Sequence, residues 1–239
     1  MSSHPDSPRS SGPVVMRQRW EDLLFLHWDW DPAEVQRTLP AGLHVDVWDG
    51  RAYIGFVPFF MRGVRPVGLP AIPWVSNFLE LNIRTYVRDE RGRAGVWFYS
   101  LDCDQPIAVR VARTLFHLPY FDARMRARRR GSSVDYECQR VGHSVSSTFH
   151  YEPTGPAAPA STGTLEGFLV ERYRLFSAKG NTLLTGCVAH RPYAIAPASH
   201  SGSLTAPMTQ AGFDTGPRTP SHACFSAGVD VRIFPMSRV

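Results

Sequence analysis

Apolar and polar residues alternate along most of this chain, and the alternation predicts a protein built mainly from β-strands. Successive residues of a strand point to opposite faces, so a period of two marks a strand with two different environments. Glycine, proline and asparagine at the boundaries divide the pattern into separate segments. The predicted strands cover residues 23–30, 45–47, 52–61, 77–87, 96–103, 133–140, 145–151, 172–177, 182–189 and 228–234.

Three short helices are predicted between the strands. Asp31 followed by Pro32 is typical of a helix start, and this helix is expected to end near Leu39. Residues 105–117 carry apolar side chains at helical spacing, and a third helix begins at Thr164. Few helices among many strands predict an α+β fold built on an antiparallel sheet or a closed, barrel-like sheet.

A predicted β-hairpin over residues 77–103 carries ionisable residues on one face only. If its turn pairs residues whose numbers sum to about 184, Asn82 lies opposite Asp102 and Arg84 opposite Ser100. The residues that this register places on the polar face are Phe78, Glu80, Asn82, Arg84, Tyr86, Val96, Phe98, Ser100 and Asp102.

This polar face has two interpretations. Antiparallel sheets commonly expose one face to water, and the pattern alone is compatible with that. Aromatic residues such as Phe78 and Phe98 share the face, however, and charges of opposite sign occupy neighbouring positions, as partly buried charges require. The mixture favours a pocket for a small polar ligand, although it does not identify a reaction.

Composition limits the classes of protein. The chain has 239 residues, of which 43% are hydrophobic and 20% charged, as in globular domains. Residues 1–13 are predicted to be a disordered tail and residues 14–239 a single domain. No apolar run is long enough to span a membrane and no secretory signal is present, so a cytoplasmic protein with no membrane partner is expected.

The sequence offers no motif for a metal or a cofactor. Its four cysteines are far apart, no HExxH spacing occurs, and neither a GxGxxG nor a P-loop motif is found. The net charge is +5 and an arginine-rich run covers residues 124–130. We interpret this run as the solvated end of a helix before Gly131, so no nucleic-acid partner is predicted.

Five phrases resemble a known bacterial family. NFLELNIRTYV, FYSLDCD, LPYFDARM, LVERYRLF and VAHRPY are similar to the YqjF-like family, which belongs to the acetoacetate decarboxylase-like superfamily. The resemblance implies a barrel-like antiparallel sheet around a pocket. The superfamily's best-known reaction decarboxylates a β-keto acid through a lysine Schiff base. At the matching phrase this chain has Pro119-Tyr120-Phe121, so Tyr120 stands at the lysine position.

The resemblance also matches Glu80 to a pocket glutamate, and it leads to a catalytic hypothesis. Arg84 would bind a carboxylate or enolate oxygen, Glu80 or Asp102 would act as general base or acid, and Tyr120 would donate a proton or hydrogen bond. Lys179, in a predicted exposed turn, would not replace the missing amine. The reaction would be isomerisation, dehydration or cyclisation of a keto acid or polyketide-like compound.

Further residues complete the hypothesis. Asn82, Tyr86 and Phe98 would contact the ligand, and Trp74 would form a hydrophobic wall after the loop of residues 58–73, which either covers the pocket or crosses the surface. Arg172 is predicted to lie in a surface pair on the sheet, with a position facing the pocket as the alternative. His190 is predicted to be structural, with a position at the pocket mouth as the alternative.

Two alternatives stay open. One is a binding or sensing module for a small organic acid, and the other is a paired charge network inside the sheet or at the interface of a homo-oligomer.

Overall fold

The computed structural model describes residues 12–239, so residues 1–11, most of the predicted tail, lie outside the described residues. The strands are β1 Met16–Trp30, β2 Leu43–Val45, β3 Ala52–Pro66, β4 Phe78–Asp89, β5 Ala94–Cys103, β6 Tyr120–Arg130, β7 Ser133–Arg140, β8 Ser147–Pro153, β9 Ala158–Pro159, β10 Arg174–Lys179, β11 Thr182–Ala189, β12 Ala194–Gly202, β13 His222–Ile233 and β14 Ser237–Arg238. The helices are α1 Pro32–Gln36, α2 Pro106–Val111 with a π-helical continuation Ala112–Phe116, α3 Leu165–Val170 and α4 Thr205–Gln210.

The sheet closes into two adjoining barrel-like rings. The first ring runs β1–β3–β4–β5–β10–β11–β13 and returns to β1. The second replaces β10 and β11 by β6, β7, β8 and β12. The pairings are antiparallel except β5 with β6 and β5 with β10, so the predicted α+β class with a barrel-like sheet is confirmed, with a mixed rather than purely antiparallel sheet.

Strands β13, β1, β3, β4 and β5 form a wall shared by the two rings. Leu23 and Phe25 of β1 belong to the core on the first side, and Leu24 and Leu26 belong to the core on the second. A strand buried on both faces needs apolar residues at consecutive positions, which explains the unbroken run at the start of β3. The wall therefore has no solvent-facing side through its centre.

The three predicted helices are present and their starts agree with the sequence. The Asp31 side chain accepts a hydrogen bond from the Ala33 amide at the start of α1, and Thr164 accepts one from Gly167 at the start of α3. Gln105 caps α2, whose π-helical continuation ends at His117 in the left-handed conformation (φ 50°). Strand β12 and helix α4 were not predicted. Among the helices of residues 12–239, none combines the length and the hydropathy of a membrane span.

A β-bulge changes the register of the predicted hairpin. Ile83 pairs with Ser100 but Arg84 pairs with Phe98, so Tyr99 is an extra residue on β5. Up to Phe98, the even-numbered residues of β5 lie opposite the even-numbered residues of β4. After the bulge, the odd-numbered residues Leu101 and Cys103 lie opposite them instead. The prediction that Asp102 lies beside Asn82 is therefore wrong, because Asn82 pairs with Leu101 and Asp102 faces the second ring.

The arginine-rich run is a strand and not the end of a helix. Residues 124–130 lie in β6, where Ala123 and Met125 are buried and Arg124 and Arg126 are exposed. The alternation of small apolar residues with arginine has the period of two that a half-buried strand requires. The period of two indicates this strand, and the interpretation of the run as a charged helix end is wrong.

Asp102 forms a buried ion pair on the far side of the shared wall. Its two carboxylate oxygens accept hydrogen bonds from Arg140 Nε (2.6 Å) and Nη2 (3.0 Å), and the side chains are 1% and 6% exposed. Burial raises the pKa of Asp102, although the Arg140 guanidinium opposes the rise. Arg140 also packs over the Phe121 ring at 4.1 Å. These contacts make Asp102 part of a buried structural ion pair.

Removing Arg140 would leave the buried Asp102 carboxylate without a cation. We expect Arg140→Ala to lower the free energy of unfolding by about 3–5 kcal/mol, measured by urea denaturation. The control is Arg130→Ala, which removes an exposed pair with Asp135 and is expected to cost about 1 kcal/mol or less. The double variant Asp102→Leu/Arg140→Met should recover most of the loss. Equal effects of the two single variants would contradict the assignment.

Candidate functional site

The first ring encloses a cavity of about 160 Å³, large enough for a small organic molecule. Most of its lining is apolar and comes from β1, β3, β5 and the α2 segment. Trp20, Phe59, Phe78, Phe98 and Leu118 are among the lining residues. A mostly apolar cavity with a few polar groups is the usual form of a small-molecule site.

The polar groups of the cavity come mainly from one strand. Glu80, Asn82 and Arg84 of β4 line it because alternate residues of a strand share a face. Tyr120 joins them because the first residue of β6 pairs with Leu101, which in turn pairs with Asn82. Parallel pairing of β5 with β6 therefore brings a tyrosine from forty residues along the chain to the glutamate.

Glu80 and Tyr120 form a buried hydrogen-bonded pair. The Tyr120 hydroxyl donates to Glu80 Oε2 at 2.7 Å, and Glu80 is 2% exposed. Burial raises the pKa of Glu80 to about 7, although hydrogen bonding by Tyr120 and Asn82 opposes the rise. Burial and the nearby carboxylate raise the pKa of Tyr120 well above its usual value. Near neutral pH Glu80 therefore exists in both protonation states and can serve as base or acid.

Arg84 is not the ion-pair partner of Glu80, and within residues 12–239 neither side chain forms an ion pair. The Arg84 guanidinium lies over the rings of Phe25 (5.5 Å) and Tyr86 (5.6 Å) and donates from Nη2 to the Leu169 carbonyl at 3.3 Å. Its Nε is buried without a hydrogen-bond partner, as is Asn82 Oδ1. One donor and one acceptor on residues that line the cavity are therefore left without a partner in the described chain.

Arg172 lies inside the protein, so the favoured surface pair is wrong and the alternative position, facing the pocket, is the one observed. It lines the cavity, donates from Nη1 to Asp46 Oδ2 at 2.7 Å, and stacks over Phe168 at 4.2 Å. Both members of this pair are buried. The sequence gives no local sign of it, because the two residues are 126 positions apart.

Tyr86 lies beyond Arg84 on the same face of β4 and is outside the cavity lining. Its hydroxyl shares a hydrogen bond with His27 Nε2 at 2.6 Å, and His27 Nδ1 lies 3.0 Å from His222 Nδ1. Burial holds the pKa of His27 well below its usual value, so this histidine is neutral. The Tyr86 hydroxyl is therefore engaged by His27, and Tyr86 is not a residue of the cavity lining.

Of the sequence-predicted residues, five converge on the cavity and three do not. Glu80, Asn82, Arg84, Phe98 and Tyr120 line it. Tyr86 and Asp102 are turned to other contacts, as described above. Trp74 is 68% exposed and lies in the loop after β3. Strand β3 extends to Pro66, so the first half of the predicted loop of residues 58–73 is strand.

Two further outcomes concern residues outside the predicted site. His190 lies between the rings of Tyr173 and Tyr193, each at 4.6 Å, and is not itself part of the cavity lining, although Tyr193 is. Gln18 and Arg174 line the cavity but were not predicted, because neither belonged to a patterned polar face. Within the described residues no group of three or more His, Cys, Asp or Glu side chains could hold a metal ion.

Comparison with known proteins agrees with the sequence resemblance. Residues 17–230 match the model of the DUF2071 family, described as uncharacterized conserved protein. The chain is 35% identical over 229 residues to the uncharacterized protein YqjF of Bacillus subtilis strain 168, covering 95% of this chain and 93% of that protein.

Solved structures share the fold at low sequence identity. Acetoacetate decarboxylase from Legionella pneumophila subsp. pneumophila strain Philadelphia 1 superposes with a TM-score of 0.66 at 14% identity, covering 99% of this chain and 92% of that one. The enduracididine biosynthesis enzyme MppR, solved in complex with pyruvate, superposes with a TM-score of 0.63 at 12% identity, covering 98% and 94%. These similarities establish an acetoacetate decarboxylase-like fold.

The raised pKa of Glu80 makes stability depend on pH. The folded protein holds this proton more tightly than the unfolded chain, whose carboxyl has an ordinary pKa near 4.5. The stabilisation is complete below pH 4.5 and is lost as the pH rises through about 7. Relative to Glu80→Gln, the wild type should lose about 2–3 kcal/mol of unfolding free energy between pH 5 and pH 8, measured by urea denaturation.

The matched control is Glu137→Gln, which changes an exposed glutamate of β7. Its stability curve should run parallel to that of the wild type over the same pH range. A parallel curve for Glu80→Gln as well would show that the pKa of Glu80 is close to that of the unfolded chain.

Proposed function

Because the chain belongs to the DUF2071 family and has an acetoacetate decarboxylase-like fold, we propose that its cavity binds a small keto acid or polyketide-like compound and transfers a proton next to the carbonyl. The reaction class is isomerisation, dehydration or cyclisation without a Schiff base. The observation that carries the proposal is the buried hydrogen bond between Tyr120 and Glu80, whose pKa of about 7 suits both removal and return of a proton.

Each polar group has a role in this reaction. The Glu80 carboxylate removes a proton from the carbon beside the carbonyl, and the electron pair moves onto the carbonyl oxygen to give an enolate. Arg84, with its unpartnered Nε, donates a hydrogen bond to that oxygen. Protonated Glu80 then returns the proton at another carbon or to a leaving hydroxyl, while Tyr120 holds the carboxyl group in place.

Schiff-base chemistry is not part of the proposal. An amine is nucleophilic near neutral pH when desolvation lowers its pKa. Lys179 is the only lysine of the chain, and it lies exposed at the end of β10, away from the cavity lining. Tyr120, which stands at the matching position of the decarboxylase phrase, cannot form an imine.

The size and polarity of the cavity support a keto acid as the ligand class. MppR, a relative in fold, was solved with pyruvate, a small keto acid. Arg84 and Asn82 offer one unpartnered donor and one unpartnered acceptor, which match a carboxylate or carbonyl oxygen and a hydroxyl. The apolar remainder of the lining fits a hydrocarbon part of the molecule.

A binding or sensing module is the second candidate. The observation that favours it is the pair of unpartnered atoms on Arg84 and Asn82, because these recognise a ligand whether or not a proton moves. In that case Glu80 would remain protonated and act as a hydrogen-bond donor. The two candidates differ only in whether the ligand exchanges a proton with the protein.

Proton exchange with deuterated water separates them. Pyruvate, 2-oxobutyrate and acetoacetate would be incubated with the protein in D₂O, and the loss of proton NMR signal beside each carbonyl would be followed. The wild type should accelerate exchange for at least one acid, and Glu80→Gln should lower the rate at least about 100-fold. Glu137→Gln, the exposed control, should keep the wild-type rate. Ligand binding without exchange would support the sensing module instead.

Borohydride treatment tests the absence of a Schiff base directly. With the same acids present, the intact mass of the protein should be unchanged after reduction, because an imine is the species that borohydride would trap. Lys179→Arg should retain the exchange activity. A reduced adduct located on Lys179 by peptide mapping would overturn the proposed mechanism.

A further inference from the structure

A second concave surface lies on the shared wall, outside the ligand cavity. It is a groove of about 1030 Å³ lined by β1, β3, β13 and the segment that follows β11. Arginine is its most frequent charged residue. The arginines that line it are Arg17, Arg19, Arg62, Arg65, Arg191 and Arg232.

Three of these arginines form a row across three adjacent strands, which we call the arginine row. Arg17 of β1 is the direct partner of Arg232 on β13 and of Arg65 on β3. Directly opposite residues of antiparallel strands share a face, and like charges in such positions destabilise a sheet. Within residues 12–239 no carboxylate forms an ion pair with any of the three, and Arg65 donates only to the Gly63 carbonyl at 2.8 Å.

The next row along the same strands is neutralised. Arg19 of β1 pairs with Asp230 on β13 (3.3 Å) and with Glu21 (2.9 Å). Arg62 of β3 completes the row and lies 3.7 Å from Glu21. Arg129 of β6 shares Glu21 at 2.8 Å and also pairs with Asp22. Three cations and three carboxylates therefore balance this region, while the neighbouring row carries three positive charges. The imbalance is a local feature of the arginine row and does not follow from the basic composition of the chain.

A fourth guanidinium reaches the same groove from a fixed segment. Arg191 follows β11, and its carbonyl oxygen accepts a hydrogen bond from His190 Nδ1 at 2.7 Å. Burial lowers the pKa of His190 to about 4, so the ring is neutral and Nδ1 carries the proton that it donates. Its ring stacks on Tyr173 at 4.6 Å. The backbone that presents Arg191 is thus tied to the protein interior.

We propose that this groove binds an anion that carries two or more phosphate groups. A guanidinium forms paired hydrogen bonds to phosphate oxygens, and the charge of a phosphate monoester is about −2 near neutral pH. Four arginines without carboxylate partners in the described chain therefore match a diphosphate better than a single phosphate. The site is separate from the proposed reaction, although Gln18 borders both the groove and the cavity.

Calorimetric titration with inorganic pyrophosphate at constant ionic strength tests the site. Arg17→Thr removes the centre of the arginine row and keeps a residue suited to a strand. Its affinity for pyrophosphate should fall roughly tenfold or more relative to the wild type. The control is Arg124→Thr, which removes the same charge from an exposed position of β6 opposite Gln139 and should bind as the wild type does. Equal affinity in all three proteins would overturn the proposal.

Thermal unfolding supplies a second readout that a purely structural role would not give. Without added anion, the melting temperature of Arg17→Thr should equal or exceed that of the wild type, because the substitution relieves repulsion between like charges. Pyrophosphate should raise the melting temperature of the wild type and leave the variant unchanged. A lower melting temperature for the variant, with no pyrophosphate effect on either protein, would make the row structural and overturn the proposal.

Two further probes identify the source of the phosphate groups. Inorganic phosphate should bind more weakly than pyrophosphate, and equal binding would overturn the requirement for two groups. Vesicles that contain a phosphoinositide bisphosphate test a lipid headgroup as the source. Vesicle binding that is lost in Arg17→Thr, together with pyrophosphate binding, would support the site and assign it to a headgroup. Pyrophosphate binding alone would assign it to a soluble phosphate ester.

Discussion

The constraint on which this structure depends is that its central wall is buried on both faces. Strands β1, β3 and β4 have the cavity on one side and a packed apolar core on the other. A polar side chain at the buried centre of this wall is not solvated, so burying it without a hydrogen-bond partner is costly. Which partner it finds is decided by the face to which it points, and the bulge at Tyr99 sets that face for β5.

The two carboxyl groups of the hairpin show the consequence. Asp102 points into the second ring and meets Arg140, which makes two short hydrogen bonds to it. Glu80 points into the cavity and meets a tyrosine and an amide but no cation. Burial raises the pKa of both carboxyl groups. At Glu80, where the opposing groups are the neutral Tyr120 and Asn82, the pKa is about 7, whereas at Asp102 the Arg140 guanidinium opposes the rise. The same chain segment thus supplies one structural and one titrating carboxyl group.

Most of the strand and helix boundaries could be predicted from local patterns, and the site only in part. Alternation identified β4, and Asp31 and Thr164 identified two helix starts, because these features depend on neighbouring residues alone. The bulge at Tyr99 has no such sign, since alternation continues through it in the sequence while the pairing changes. The partners of Arg172 and Asp102 lie 126 and 38 positions away, so only the closed sheet brings them together. Glu80 and Tyr120 could both be predicted as site residues, because each lies in a phrase that carries the family resemblance.

Because Glu80 forms no ion pair in the described chain, its protonation would depend on the charge of a ligand in the cavity. Near neutral pH the carboxyl group is divided between its two protonation states. An anion that enters beside it raises the pKa of Glu80 further, because like charges disfavour ionisation, so binding takes up a proton. In the proposed function Arg84, which has no carboxylate partner in the described chain, would supply the opposite charge for such an anion. A salt bridge between Glu80 and Arg84 would cancel both effects, and the aromatic stacking of Arg84 on Phe25 and Tyr86 holds the guanidinium in a position where that bridge does not form.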